Sequence, residues 1–192
     1  MKKFQLEHII RAVGSITDAQ KMIVIGSQAI HGQFPDITNK YLQSQQTKVH
    51  TAVYVSLLGS MEADIFIPEN TKQTAIADAL IGYMSNFHDT HGYYMDGVDK
   101  TTAKLPEGWE KRLFALQNEN TNYVCGQCLE IHDLIISKLY ARRDKDMEFL
   151  QAAITLNIVS KITLLDRLEN TFDISFDILK YMKYNIDKAF NL

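Results

Sequence analysis

The amino-acid sequence predicts an α+β protein, in which a mixed sheet flanked by helices is followed by a small C-terminal helical bundle. Short apolar runs alternate with amphipathic stretches through the first two thirds of the chain, as expected for strands and helices packed together. From Ile131 to the end the chain has neither glycine nor proline, and helical periodicity dominates. We therefore place an α/β core over residues 1–128 and a helical region over residues 129–192.

Composition excludes several classes of protein. The chain has 192 residues, 46% of them hydrophobic, which is ample for one buried core. No apolar run approaches the roughly 18 residues of a membrane-spanning helix, and polar residues interrupt the N-terminal segment where a secretory signal needs an apolar stretch. Two cysteines cannot form a disulfide scaffold, and a net charge of −3 gives no overall attraction for nucleic acid. We therefore expect a cytoplasmic protein without membrane association.

Hydrophobic spacing and turn residues predict the elements of the N-terminal half. Continuous apolar runs indicate buried strands, periodic ones indicate helices, and a polar, glutamine-rich stretch covers residues 40–48. The predicted elements are a helix at Phe4–Ala19, a strand at Met22–Ile25, a turn at Gly26-Ser27, a helix from Gln28, a strand at Val49–Leu58 and a strand at Ala63–Ile67.

The next helix is predicted to begin after Asn70, which can cap its first turn, with Gln73 completing a capping box. Its predicted apolar stripe consists of Ala75, Ile76, Ala79, Leu80, Tyr83, Met84 and Phe87. The remaining predicted elements are strands at Gly92–Val98, Arg112–Leu116 and Tyr123–Cys128, and helices at Asp133–Leu156, Val159–Leu168 and Phe176–Phe190.

Two short motifs together suggest chemistry with phosphates. Glu62 and Asp64 are two apart on a predicted strand, so both carboxylates lie on one face, and close like charges favour a cation such as Mg²⁺ between them. Gly26-Ser27 ends a strand and opens a helix, where free backbone N–H groups and a hydroxyl can hold phosphate. Together they indicate a site for phosphoryl or nucleotidyl transfer; the alternative is a surface strand with two solvated acids beside an ordinary turn.

Several ordered segments carry a resemblance to a known family. They are Ile23–Ile30, Ser60–Ile65, Gly92–Val98, Leu105–Trp109, Leu129–Leu139 and Ala141–Asp146. The first two are similar to the strand-turn-helix and acid-x-acid strand of the nucleotidyltransferase superfamily. The whole set, from Met22 to Phe149, resembles an uncharacterised bacterial nucleotidyltransferase-like family allied to the abortive-infection (toxin–antitoxin) nucleotidyltransferase toxins.

The resemblance implies roles for individual residues. Gly26 and Ser27 would hold the triphosphate, and Glu62 and Asp64 would bind the catalytic metal, although the first acid is Glu rather than the commoner Asp. The interval between Gly26 and Glu62 is longer than is usual in the superfamily, so residues 31–60 are expected to contain extra structure. Asp96 is our candidate for a third carboxylate; the alternative is a turn-forming aspartate before Gly97.

The predicted helix from Asp133 carries further charges. Lys138, Arg142 and Lys145 are spaced to lie along one face, as a basic stripe for phosphate or RNA or as a solvated helix face. Arg143 and Asp146 fall on the apolar arc of a continuous helix, so they either pair with each other or mark a break. The resemblance implies that this segment packs against the cleft, and Lys138, Arg143 and Asp146 are added as candidate nucleotide-binding residues.

The sequence therefore supports one leading hypothesis and two alternatives. The leading hypothesis is an Mg²⁺-dependent nucleotidyltransferase that moves a nucleoside monophosphate from a nucleoside triphosphate to an unknown acceptor. The resemblance implies that its partner is RNA, such as tRNA, or a cognate antitoxin protein. The first alternative is a catalytically silent module of the same fold that binds nucleotide, RNA or protein. The second is a zinc or thiol site built on Cys125 and Cys128, which form a lone C-x-x-C pair.

Overall fold

The structure, a computed structural model, describes residues 1–37, 48–68 and 70–191. Within them the chain forms a five-stranded mixed sheet with the order β3-β2-β1-β5-β4. The strands are β1 (Lys21–Val24), β2 (Glu62–Phe66), β3 (Tyr94–Gly97), β4 (Phe114–Leu116) and β5 (Cys125–Cys128). β1 is parallel to β5 and antiparallel to β2, β2 is parallel to β3, and β4 is antiparallel to β5. This arrangement confirms the predicted α+β class.

Helices flank the sheet and continue to the C-terminal end. In the described residues they are α1 (Lys3–Thr17), α2 (Ile30–Gln33), α3 (Lys48–Leu58), α4 (Thr71–Ile81), α5 (Asn86–His91), α6 (Ile131–Ala141), α7 (Asp144–Thr155), α8 (Lys161–Glu169) and α9 (Phe176–Ala189). Short 3₁₀ turns lie at Ser27–Ala29, Trp109–Arg112 and Glu119–Thr121. None of these helices is both long and apolar enough to cross a membrane.

The core lies between the sheet and the helices on its two faces. In helix α1 the side chains of Leu6, Ile9 and Ile10 are fully buried. Ile10 lies so close to Gly126 in β5 that a Cβ atom at that position would overlap it. Helix α4 packs beside α1 against β2 and β3, whereas α2 packs against β4 and β5. The central strand β1 is buried almost throughout, which explains its continuous apolar run.

The register of β2 and β3 positions the acidic residues. In this parallel pair Glu62 lies opposite Tyr94 and Asp64 lies opposite Asp96. Because side chains alternate along a strand, these residues share one face of the sheet. The intervening Ala63 is fully buried on the other face. The sheet therefore collects three carboxylates on one side and keeps the other side apolar.

The predicted strand at Val49–Leu58 was wrong, because these residues belong to helix α3. Val53, Leu57 and Leu58 are buried, while Thr51 and Val55 are exposed. Residues two apart on a strand would share one face, so this alternation of burial suits a helix and not a strand. Helix α3 packs against α7, so tertiary contacts outweigh the β-propensity of its branched residues. The polar stretch at residues 40–48 lies outside the described residues, except for Lys48 at the start of α3.

The helix predicted after Asn70 was right at its start and wrong in its length and buried face. Asn70 Oδ1 accepts a hydrogen bond from Gln73 N at 3.1 Å, but the Gln73 side chain donates to Thr17 O at 2.8 Å instead of completing a capping box. The helix ends at Ile81, and a separate helix, α5, follows. The face of α4 that carries Thr74, Ala77 and Ile81 is buried, and α4 packs against α1. Six residues of the predicted stripe face solvent: Ala75, Ile76, Ala79, Leu80, Tyr83 and Met84.

The long helix predicted at Asp133–Leu156 is two helices, α6 and α7, which meet at a bend. Arg142 ends α6 in the left-handed conformation, with φ of 58°, and its N–H donates to Lys138 O. Lys138, Arg142 and Lys145 therefore do not lie along one continuous face, and the predicted basic stripe was wrong. The pairing predicted for Arg143 and Asp146 is present, with Arg143 Nε 2.8 Å from Asp146 Oδ2.

A buried carboxylate fixes α6 in the fold. Asp133 is fully buried and accepts hydrogen bonds from Arg112 Nε at 2.8 Å and from Arg112 Nη2 at 3.0 Å. Arg167 Nε in α8 lies 3.2 Å from Asp133 Oδ1. Asp133 therefore ties together α6, α8 and the turn at Trp109–Arg112.

Replacing Asp133 with Asn should lower the free energy of unfolding by about 2–3 kcal/mol, because two arginines lose a shared buried carboxylate. Urea unfolding of both proteins measures the difference. The matched control is Asp166→Asn, at an exposed carboxylate that pairs with Arg167, for which less than about 0.5 kcal/mol is expected. Equal effects of the two variants would contradict a special role for Asp133.

Candidate functional site

A cleft of about 530 Å³ opens between the sheet and helix α6. Its walls differ in charge, with carboxylates on the sheet side and cations on the α6–α7 side. The carboxylates are Glu62, Asp64 and Asp96, and the cations are Lys138, Arg143 and Lys145. The remaining lining residues are Ile25, Gly26, Ser27, Val98, Thr102, Ala103, Leu134, Ser137, Tyr140 and Ala141.

The acidic wall is built from adjacent strands. Glu62 and Asp64 are alternate residues of β2, and Asp96 is the in-register neighbour of Asp64 on β3. Burial, followed by the charges of Glu62 and Asp96, raises the pKa of Asp64 to about 6. Burial and the Glu62 and Asp78 carboxylates also raise the pKa of Asp96. The three acids are thus close enough to repel one another, and Asp96 lies in a strand and not in a turn.

Glycine at position 26 lets the turn after β1 approach this acidic wall. A Cβ atom built on Gly26 would overlap Asp64 Oδ2, so no larger residue fits without displacing that carboxylate. The backbone also joins the two segments, because Ile25 N donates to Asp64 O at 3.0 Å. Gly26 therefore sets the position of the turn relative to Asp64.

The cationic wall centres on Lys138, which is nearly buried. Its Nζ donates to Ser27 Oγ at 2.9 Å and to Asp146 Oδ1 at 3.3 Å, and it lies 4.6 Å from the centre of the Phe149 ring. Burial lowers the pKa of Lys138, and the Asp146 carboxylate opposes that shift. Asp146 is 1% exposed and does not line the cleft, so it pairs with Lys138 and Arg143 on the side away from the cleft.

Two further residues contact Glu62: Tyr94, which sequence reasoning missed, and Lys145, which it had placed in the basic stripe. The Tyr94 hydroxyl donates to Glu62 Oε2 at 3.1 Å, and Lys145 Nζ lies 3.9 Å from Glu62 Oε1. Burial and the Glu62 charge raise the pKa of Tyr94 to about 12. The signal for Tyr94 was its position two residues before Asp96, which mirrors that of Glu62 before Asp64.

The acidic wall fits a divalent cation whose coordination a ligand completes. Residues 1–37, 48–68 and 70–191 contain no group of three or more His, Cys, Asp or Glu side chains arranged to hold a metal ion by themselves. Mg²⁺ commonly uses one or two carboxylates together with substrate phosphates and water. Glu62 and Asp64, on one face of β2, provide such a pair, and their mutual repulsion favours a cation.

The structure gives no support to a zinc or thiol site. Cys125 and Cys128 lie in β5, and Cys128 is fully buried. Burial raises the pKa of Cys128 to about 12, so this sulfur stays protonated near neutral pH. His132, a potential further ligand, instead pairs with Glu130 and accepts a hydrogen bond from Ser160 N.

Comparison with known protein families gives one finding. Residues 2–190 match the sequence profile of a family described as nucleotidyltransferase of unknown function (DUF6036). The chain belongs to this family. No curated protein and no solved structure matches it significantly. The description of the family supports nucleotidyl transfer as the general activity of the chain.

Proposed function

We propose that the protein is an Mg²⁺-dependent nucleotidyltransferase that uses this cleft as its active site. The triphosphate would lie between Ser27 and Lys138 on one side and the acidic wall on the other. The single observation that carries the proposal is this opposition of charges: three carboxylates from β2 and β3 face a buried lysine that already contacts the Ser27 hydroxyl.

Each residue then has a chemical task. Glu62 and Asp64 would hold Mg²⁺, which would offset negative charge on the phosphates when bound. Ser27 and Lys138 would bind phosphate oxygens, and Arg143 would add a second cation. The oxygen of an acceptor hydroxyl would form a bond to the α-phosphorus while the bond to pyrophosphate breaks. Asp96, the most exposed of the three acids, would accept the proton that the acceptor hydroxyl loses.

The acceptor is proposed to be RNA, as the resemblance to toxin-type enzymes implies, with a cognate antitoxin as a protein partner. A binding-only function is the second candidate. The described residues do not form a complete metal site without a ligand, an arrangement that is also compatible with a protein that binds a nucleotide without turnover. The two candidates share the binding site and differ in pyrophosphate release.

Titration calorimetry with each of the four ribonucleoside triphosphates tests the proposal. At least one triphosphate is expected to bind roughly tenfold or more tightly with Mg²⁺ than with a chelator, because Mg²⁺ bridges carboxylates and phosphates. The matching monophosphate should bind weakly, since it lacks most of those contacts. Failure of all four triphosphates to bind would contradict the transferase and leave only a silent module that binds RNA or protein. Binding without pyrophosphate release in the presence of cellular RNA would favour the binding-only function.

A further inference from the structure

Glu62 is held by a neighbour on the adjacent strand. Tyr94 lies directly opposite Glu62 in the register of β2 and β3, and its hydroxyl donates to Glu62 Oε2 at 3.1 Å. Since the sheet fixes both Cα positions, this contact restricts where the carboxylate can lie. The other carboxylate oxygen, Oε1, has Lys145 Nζ at 3.9 Å.

A restraint is needed because glutamate is longer than aspartate. Its extra methylene adds a rotatable bond, and ordering that bond costs conformational entropy. Lys145 cannot supply the restraint by itself, because its side chain is 61% exposed and its distance from Glu62 is that of a weak surface ion pair. Asp64, in contrast, has a shorter side chain that packs against Gly26.

The ring of Tyr94 is itself fixed by aromatic neighbours outside the cleft. Its centre lies 4.7 Å from that of His88 and 5.3 Å from that of Tyr83. The Tyr83 and His88 rings also contact each other, with centres 5.2 Å apart. Three mutually packed rings limit the rotation of Tyr94 and so direct its hydroxyl towards Glu62.

We propose that Tyr94 is a positioning residue, whose hydroxyl holds the Glu62 carboxylate in the orientation that binds a divalent cation together with Asp64. The inference rests on the proposed function, since it requires Glu62 to be a metal ligand. Groups that hydrogen-bond to metal ligands commonly affect metal affinity without touching the ion.

Binding of Mn²⁺, followed by the loss of the free-ion electron paramagnetic resonance signal, tests this role without turnover. Tyr94→Phe removes only the hydroxyl and should weaken Mn²⁺ binding about tenfold. The matched control is Tyr93→Phe, which also removes one hydroxyl; that hydroxyl bonds to His8 Nδ1 at 2.8 Å, away from the cleft. The control should bind Mn²⁺ like the wild type.

A double variant separates positioning from a general structural effect. If Tyr94 acts through the Glu62 carboxylate, Tyr94→Phe should add no further loss of affinity to Glu62→Gln. An equal loss in both backgrounds, or wild-type affinity in Tyr94→Phe, would overturn the inference and leave the proposed function standing. Absence of Mn²⁺ binding by the wild type, both alone and together with the triphosphate that completes the coordination, would instead overturn the metal-dependent function, and the role of Tyr94 with it.

Discussion

Asp64→Asn is expected to reduce nucleotidyl transfer by roughly a thousandfold or more, since it removes a proposed metal ligand at the reacting phosphates. The substitution preserves the size of the side chain and its packing against Gly26. It also removes one of three mutually repelling carboxylates, so the metal-free variant should unfold at no lower a temperature than the wild type. Initial rates of pyrophosphate release and thermal melts measure the two effects.

The control for this variant is Asp89→Asn, at an exposed position of α5 outside the cleft. It makes the same chemical change and should leave both rate and melting temperature unchanged. Activity in Asp64→Asn within tenfold of the wild type would exclude the proposed use of this carboxylate. A large fall in its melting temperature would instead show that Asp64 has a structural role.

Gly26→Ala should lower transfer by roughly a hundredfold, because the new methyl group must displace the turn or the Asp64 carboxylate. The same overlap should lower the free energy of unfolding by about 1–3 kcal/mol, as is usual for an overpacked site. Transfer assays at saturating nucleotide, combined with urea unfolding, measure both quantities.

Gly92→Ala provides the comparison. Gly92 has φ of 73°, so alanine is strained there, but nothing lies within 4 Å of an added Cβ. This variant should lose some stability and keep its activity. Gly26 has φ of −86°, which alanine adopts without strain. If both glycine variants lost activity equally, a general loss of stability and not contact with Asp64 would explain the effect at Gly26.

The sequence was sufficient to predict the parts of the site that depend on local pattern. A buried apolar run ending at Gly26-Ser27 identifies β1, and two acids spaced by two residues identify β2 and the carboxylates that line the cleft. Asp96 was predicted to be a third carboxylate on a strand, with a turn-forming aspartate as the alternative, because an aspartate before glycine occurs in strands and in turns. Only the register of β2 with β3 shows that it lies beside Asp64.

The features that escaped prediction depend on contacts between distant segments. The approach of Lys138 to the cleft was expected only from the resemblance. Its contact with Ser27 arises because α6 packs over the end of β1, and no local pattern encodes it. Helix α3 was predicted as a strand because Val53 and Val55 favour strands locally, whereas packing against α7 favours a helix. The Tyr94–Glu62 hydrogen bond likewise requires the sheet register.

The bend at Arg142 has a consequence for how the chain can vary. In an uninterrupted helix, Lys138 and Asp146 would be separated by about 12 Å along the axis. The bend brings Lys138 Nζ within 3.3 Å of Asp146 Oδ1. The grouping of these charges therefore depends on the number of residues between α6 and α7 as much as on which residues they are. One inserted or deleted residue here would separate the lysine from its carboxylate even with every charged side chain retained.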